Sequence, residues 1–93
     1  MSDAWDWQFT DHANRQFDAL DPYAQERITS KLDEIVNDPW REPHEYLEPL
    51  HGMPHDKLRI GSFRLGCRAD REVAILYIVA IKKRGGDAYR GDD

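Results

Sequence analysis

The sequence is short of cysteine, of long apolar runs and of linker-like segments. Its one cysteine, Cys67, cannot form a disulfide within the chain and is of the kind usually buried as a small apolar residue. No apolar run approaches the ~20 residues that span a bilayer, and residues 1–6 lack the basic-then-apolar order of a secretory signal. Repeats and Gly/Ser-rich stretches are also missing. We therefore expect a single domain over residues 1–93, located in the cytoplasm and not in a membrane.

Motifs for several common chemistries are absent as well. The chain has no nucleophile elbow, no glycine-rich phosphate loop and no dinucleotide fingerprint. Four residues between 44 and 55 have the superficial spacing of metal ligands. However, the prolines and glycine among them prevent the helix that would place these residues on one face. The sequence therefore predicts neither a metal nor a cofactor.

Charge is divided unevenly along the chain. Residues 1–56 contain 13 acidic and 4 basic side chains, whereas residues 57–93 contain 5 acidic and 9 basic ones, and the net charge is −5. Because the Debye length at physiological salt is only ~8 Å, a basic patch can act locally while the remaining surface stays acidic. The acidity argues against indiscriminate nucleic-acid binding, but not against a local anion site.

The first half of the chain predicts a strand followed by two helices. Apolar and polar residues alternate over 5–9, as in a strand with one buried face. A helix capped at residue 10 or 11 is expected to run to about residue 20. Asp21-Pro22 is a favourable start for a second helix, whose single apolar face continues until residues 37–39 end it. Together the two helices form an antiparallel hairpin.

The second half predicts an antiparallel sheet. In 57–68, apolar and basic residues alternate around Gly61-Ser62, which is typical of a two-residue hairpin turn. Residues 69–72 predict the next turn, and the nine apolar residues of 73–81 predict a central strand covered on both faces. The fold class is α+β: an N-terminal strand, an antiparallel helical hairpin, and a mostly antiparallel twisted sheet of about four strands, in two layers.

The proline-rich segment 40–56 connects these two halves. Long regular structure is not expected there, and at most a short edge strand. Four of its apolar residues are expected to cover the core: Tyr46, Leu47, Leu50 and Met53.

The predicted hairpin places two like charges opposite one another. With the turn at Gly61-Ser62, Arg59 faces Arg64. Like charges directly across a sheet are destabilising, and an anion bound from outside would offset the repulsion. Gly66 falls opposite Lys57 and leaves a gap through which a ligand backbone can approach. We interpret this face as an anion site, against the alternative that alternating charges only solvate an exposed sheet.

Several cations and one aromatic residue are expected on this face or at its rim. Such a set suits a phosphodiester and its base better than a carboxylate or a metal. The expected members are His55, Lys57, Arg59, Arg64, Arg68, Lys82, Lys83, Arg84 and Tyr89.

Most of the chain resembles the RelE branch of the RelE/ParE toxin superfamily. The family pattern has a lysine-x-arginine, a glycine turn and an aromatic-arginine pair, then an apolar strand and a basic ending followed by a tyrosine. Leu-Asp-Pro at 20–22 and the Pro-x-x-Tyr-Leu-x-x-Leu-x-Gly stretch ending at residue 52 are also similar to the family. The matching residues of the second half are Lys57-Leu58-Arg59, Gly61, Phe63-Arg64, 73–81, Lys83-Arg84 and Tyr89.

The resemblance implies the toxin of a type II toxin–antitoxin pair that cleaves mRNA in the ribosomal A site without a metal. The ribose 2′-hydroxyl would attack the adjacent phosphate and displace the 5′-oxygen. Arg64 and Arg59 would stabilise the phosphate charge, and Lys57 would be the general base. Arg84 would steady the leaving group, while Tyr89 would stack on the base or donate to the leaving oxygen.

One position departs from the family pattern. Many members carry a lysine two residues before position 57, where this chain has His55. An imidazole is an able acid–base group near neutrality, so His55 and Lys57 are both candidates for the base. Arg68 would contact phosphate or the antitoxin.

The expected partners are a cognate antitoxin, the ribosome and mRNA, together with a hetero-oligomer of toxin and antitoxin on operator DNA. Two alternatives share the fold. One is a ParE-like inhibitor of DNA gyrase, which cuts no RNA, and the other is a catalytically weak relic that only binds its antitoxin.

Overall fold

The structure, a computed structural model, describes residues 4–83. Its five strands form one sheet in the order β1-β5-β4-β3-β2, in which β1 is parallel to β5 and every other pair is antiparallel. The predicted α+β class, with a helical hairpin followed by four strands, is confirmed. The elements are β1 (Asp6–Phe9), α1 (Asp11–Asp18), α2 (Pro22–Val36), a 3₁₀ helix (Pro43–Tyr46), β2 (Glu48–Pro49), β3 (Asp56–Ile60), β4 (Phe63–Asp70) and β5 (Ile75–Lys83).

Both α-helices begin at predicted capping residues. The Thr10 hydroxyl accepts a hydrogen bond from the Ala13 N–H at 3.2 Å, and the Asp21 carboxylate accepts one from the Ala24 N–H at 2.8 Å. α1 ends at Asp18, slightly earlier than predicted, because the chain has to turn before the second cap. Neither helix of residues 4–83 is long and apolar enough to cross a membrane.

The core lies between the two helices and one face of the sheet. β1 is tied to α2 by the Trp7 indole N–H, which donates to the Asp33 carboxylate at 2.8 Å. The hairpin strands turn alternate residues inward, as their period-two pattern predicts. The principal buried side chains are Ile28, Leu32, Ile35, Leu58, Ile60, Phe63, Leu65, Cys67, Leu76 and Ile78.

The segment between α2 and β3 is irregular, as predicted, and β2 is its short edge strand. Tyr46 and Leu47 pack against the core, and the Tyr46 hydroxyl donates a hydrogen bond to the Asp38 carboxylate. This bond lowers the pKa of Asp38 and raises the pKa of Tyr46, because it favours the charged carboxylate and the neutral phenol. Met53 is 51% exposed, so the prediction that it covers the core is wrong.

The last strand begins later than its apolar run. β4 continues to Asp70, so the connection to β5 is shifted by two residues, to 71–74. Ala74 has a φ of 57°, in the left-handed region that strands do not use. Val73 is 54% exposed. Both residues were predicted to be strand, and they instead complete the turn before Ile75.

β5 is an interior strand, as predicted, but only one of its faces is fully covered. Tyr77 and Val79 are only half-buried. A register shift at Gly66/Cys67 leaves Val79 unpaired with β4, as in a β-bulge. The prediction of a strand covered on both faces is therefore wrong, because both helices lie on the same side of the sheet.

Cys67 should be unreactive in the folded protein. Burial raises the pKa of its thiol to about 12, and the thiolate is the reactive form. We expect native protein at pH 8 to react with Ellman's reagent roughly a thousandfold more slowly than protein unfolded in urea. Stoichiometric labelling without loss of the circular-dichroism signal would contradict this burial.

Candidate nucleic-acid interface

The sheet face opposite the helices, here called the open face, carries a row of three cations. Arg59 on β3 lies directly opposite Arg64 on β4, as predicted, and Arg64 lies directly opposite Lys82 on β5. Residues directly opposite in antiparallel strands point to the same side, with Cβ atoms about 4.5–5.5 Å apart. These three residues therefore form a line across the strands, the cation row.

The cation row has no counter-ion within the described part of the chain. Among residues 4–83, no carboxylate lies within 4.0 Å of the charged groups of Arg59, Arg64 or Lys82, and all three residues are exposed. Like charges directly opposite destabilise a sheet by roughly 0.2–1 kcal/mol a pair. A polyanion bound from outside would remove that cost.

Arg59 extends the cationic surface around the edge of the sheet. β2 pairs only with residues 56 and 57, so no strand flanks β3 at Arg59. Arg59 also lines a groove of about 640 Å³ beside α2. In this groove the Arg27 guanidinium lies 5.9 Å from the ring centroid of Tyr23, which is 70% exposed.

Lys57 differs from the cation row because it has a carboxylate partner. Glu48 on β2 lies directly opposite Lys57, and its Oε1 is 3.2 Å from the Lys57 Nζ. Only 19% of the Lys57 side chain is exposed. The Lys57 ammonium is therefore already in contact with a carboxylate, unlike the side chains of the cation row within residues 4–83.

The gap opposite Lys57 is filled by the imidazole of His55. Gly66 does lie opposite Lys57, but a Cβ added to Gly66 would be 2.7 Å from Cδ2 and 2.9 Å from Nε2 of His55. Real Cβ atoms essentially never come so close, so the ring fits only over a glycine. The prediction that a ligand backbone enters this gap is wrong. Instead, the His55 imidazole lies over Gly66, next to Lys57. Gly66 is two residues along β4 from Arg64.

Arg68 makes an aromatic contact at the far end of β4. It lies directly opposite Tyr77 on β5, and its guanidinium carbon is 5.6 Å from the centre of that ring. The sequence reasoning missed Tyr77 as a member of this face, because a continuous apolar run hides which residues of β5 point outward.

The remaining predicted members are not on the open face or are not described. Lys83 lies opposite the buried Phe63, so it points to the helix side, at the end of the strand. Arg84 and Tyr89 lie outside the described residues. The structure thus brings six of the nine expected residues to this face: His55, Lys57, Arg59, Arg64, Arg68 and Lys82.

This arrangement can bind a phosphodiester chain. Guanidinium and ammonium groups make charge-assisted hydrogen bonds to phosphate oxygens, and an exposed aromatic residue can stack on a base. Over residues 4–83, no three His, Cys, Asp or Glu side chains lie together so as to hold a metal ion.

Several solved structures share this architecture. A chain of the RelBE2 toxin–antitoxin complex of Mycobacterium tuberculosis matches with a TM-score of 0.72 and 21% identity, over 87% of this chain and 99% of that one. The isolated RelE toxin of E. coli matches with a TM-score of 0.67 and 22% identity, over 94% and 93%. The chain has the RelE fold. A chain of the RelE–RelB complex of Pyrococcus horikoshii also matches, with a TM-score of 0.66 and 16% identity, over 89% and 98%.

Sequence comparison adds nothing to this likeness. No protein-family model and no curated protein matches the chain. Identities of 16–22% establish the RelE fold alone, so the chemistry of the open face has to be argued from its own side chains.

Replacing Gly66 by alanine should expel the His55 ring. The added methyl would overlap the imidazole, and a half-buried ring can rotate away at little cost to the fold. We expect large shifts of the His55 ring resonances in NMR spectra of Gly66→Ala, with a thermal midpoint within a few degrees of the wild type.

A double variant controls for other effects of the added methyl. In a His55→Ala background, the stability cost of Gly66→Ala should be smaller, because the overlap with the ring is gone and only the 3.3 Å contact of the added methyl with Cγ2 of Val79 remains. Unchanged His55 resonances in Gly66→Ala would show that the ring does not lie over the glycine.

Proposed function

We propose that this chain is the toxin of a type II toxin–antitoxin system and acts as a metal-independent endoribonuclease on mRNA in the ribosomal A site. The observation that carries the proposal is the cation row: three adjacent cations on the open face that have no counter-ion within residues 4–83. The RelE fold supports it, since the matched structures are named as RelE toxin and as toxin–antitoxin complexes. By the same likeness, a cognate antitoxin is the proposed protein partner.

The proposed reaction is an internal transfer at phosphorus. The ribose 2′-oxygen forms a bond to the adjacent phosphorus while the bond to the 5′-oxygen breaks, leaving a cyclic phosphate and a 5′-hydroxyl. Negative charge grows on the phosphate oxygens as this happens. Arg64 and Arg59 are exposed and unpaired among the described residues, so they can donate to those oxygens, and such electrostatic stabilisation is usually the largest catalytic contribution.

We assign His55 as the general base. Its imidazole is held over Gly66, beside Lys57 and near Arg64. Histidine is also the side chain that commonly accepts a proton near neutral pH. The Lys57 ammonium contacts the Glu48 carboxylate at 3.2 Å, and we assign it a phosphate-binding role. The resemblance to RelE toxins suggests that Arg84 and Tyr89 act on the leaving-group side of the reaction, at the 5′-oxygen.

The first test is cleavage of mRNA on translating ribosomes. We expect cuts within codons at the position of the A site when purified protein is added to an active translation reaction. Mapping the new 5′ ends by primer extension measures this. DNA damage with intact mRNA would instead indicate a gyrase inhibitor, and neither effect would indicate a relic that only binds its antitoxin.

The second test is substitution of the central cation. Arg64→Ala should lower the single-turnover cleavage rate by about 10²–10³, the usual loss when one stabilising donor is removed. Its thermal midpoint should stay within a few degrees of the wild type, because Arg64 is exposed and faces two like charges.

Arg71→Ala is the matched control for Arg64→Ala. Arg71 is an exposed arginine in the connection between β4 and β5, off the cation row and 4.0 Å from the Glu42 carboxylate, so this variant should cleave like the wild type. Loss of folding in Arg64→Ala would show that Arg64 is structural. Equal loss of activity in the two variants would show that only total charge matters.

A further inference from the structure

One cation of the open face is neutralised from within the chain. Glu48 and Lys57 are paired directly across β2 and β3, with 3.2 Å between the carboxylate oxygen and the ammonium nitrogen. β2 consists of only two residues, and its second residue is Pro49. This short edge strand is thus just long enough to bring one carboxylate to the face.

The side chains of Lys57 and Glu48 differ in how much of their surface is exposed to solvent. The Lys57 side chain is 19% exposed, whereas the Glu48 side chain is 65% exposed. The lysine side chain is therefore mostly covered, whereas the carboxylate side chain is mostly open to solvent. An ion pair at a protein surface contributes about 0–1 kcal/mol, and the carboxylate side of this pair is accessible, so an arriving anion can replace the carboxylate.

Carboxylate and phosphate oxygens make the same kind of contact with an ammonium group. We propose that the Glu48 carboxylate occupies a phosphate-binding position at Lys57 and is displaced from it by a phosphate of the bound RNA. The choice of RNA as the ligand rests on the proposed function. Competition between the Glu48 carboxylate and a phosphate for Lys57 does not itself require that the RNA is cleaved. Glu48 is thus a positioning residue that holds the Lys57 ammonium in place, and it limits how tightly the face binds RNA.

The competition has a measurable consequence for salt dependence. A cation that is already neutralised by Glu48 releases fewer counter-ions from RNA when RNA binds. Removing the carboxylate makes one more cation available, and for single strands each cation changes the slope of log K against log salt by about 0.7.

The test compares Glu48→Gln with the wild type. The probe is a short, fluorescently labelled single-stranded RNA with 2′-O-methyl groups throughout, which cannot be cleaved. We expect Glu48→Gln to bind it about two- to fivefold more tightly at low salt, and to steepen the salt slope by about 0.7. Fluorescence anisotropy over a series of salt concentrations measures both.

Glu72→Gln is the charge control. Glu72 is exposed in the connection between β4 and β5, and no ion pair within residues 4–83 includes its side chain. The substitution makes the same change in net charge away from the cation row, so it should leave affinity and slope unchanged. In the double variant Lys57→Ala/Glu48→Gln, the gain should disappear relative to Lys57→Ala alone.

Each result has a distinct meaning. Equal affinity and slope for Glu48→Gln and wild type, or an equal gain in Glu72→Gln, would overturn the inference. Failure of all variants to bind RNA would overturn it as well. Tighter binding by Glu48→Gln without any mRNA cleavage by the wild type would support this inference and reject the nuclease.

Discussion

The register of the β3–β4 hairpin is the constraint on which the candidate site depends. Gly61, with a φ of 57°, closes the turn, and the inward side chains of both strands are buried together. A slip of one residue would turn every apolar side chain to the solvent and every cation into the core. The burial of apolar residues therefore fixes where Arg59 and Arg64 point. The repulsion within the cation row is small compared with the burial of four large apolar side chains of the hairpin, each of which stabilises the fold by about 1.5–3 kcal/mol. These side chains are Leu58, Ile60, Phe63 and Leu65.

The parts of the fold that could be predicted are those set by local patterns. Helix caps at Thr10 and Asp21, and the hairpin turn, follow from residue types at fixed spacing. The start of β5 could not be predicted, because Val73 and Ala74 are apolar but are needed to complete a turn. The parallel pairing of β1 with β5 joins residues about seventy positions apart, and nothing local in either strand encodes it.

The candidate site, like the fold, could be predicted from the sequence only in part. The opposition of Arg59 and Arg64 follows from the turn, whereas two contacts that alter the chemistry could not be found in the sequence. One is the Glu48–Lys57 pair, which depends on where an irregular segment happens to meet β3. The other is the contact of the His55 ring with Gly66. The missing Cβ of a glycine predicts open space on this face, but it does not predict which side chain fills that space.

The Glu48–Lys57 pair and the contact of His55 with Gly66 lie at the same end of the open face. The Glu48 carboxylate contacts the Lys57 ammonium at 3.2 Å, so a phosphate that binds this lysine has to displace a carboxylate. The contact with Gly66 brings the imidazole of His55, a side-chain type suited to proton transfer, to the neighbouring position. In the proposed function, the lysine and the arginines therefore bind phosphate, and the histidine accepts the proton.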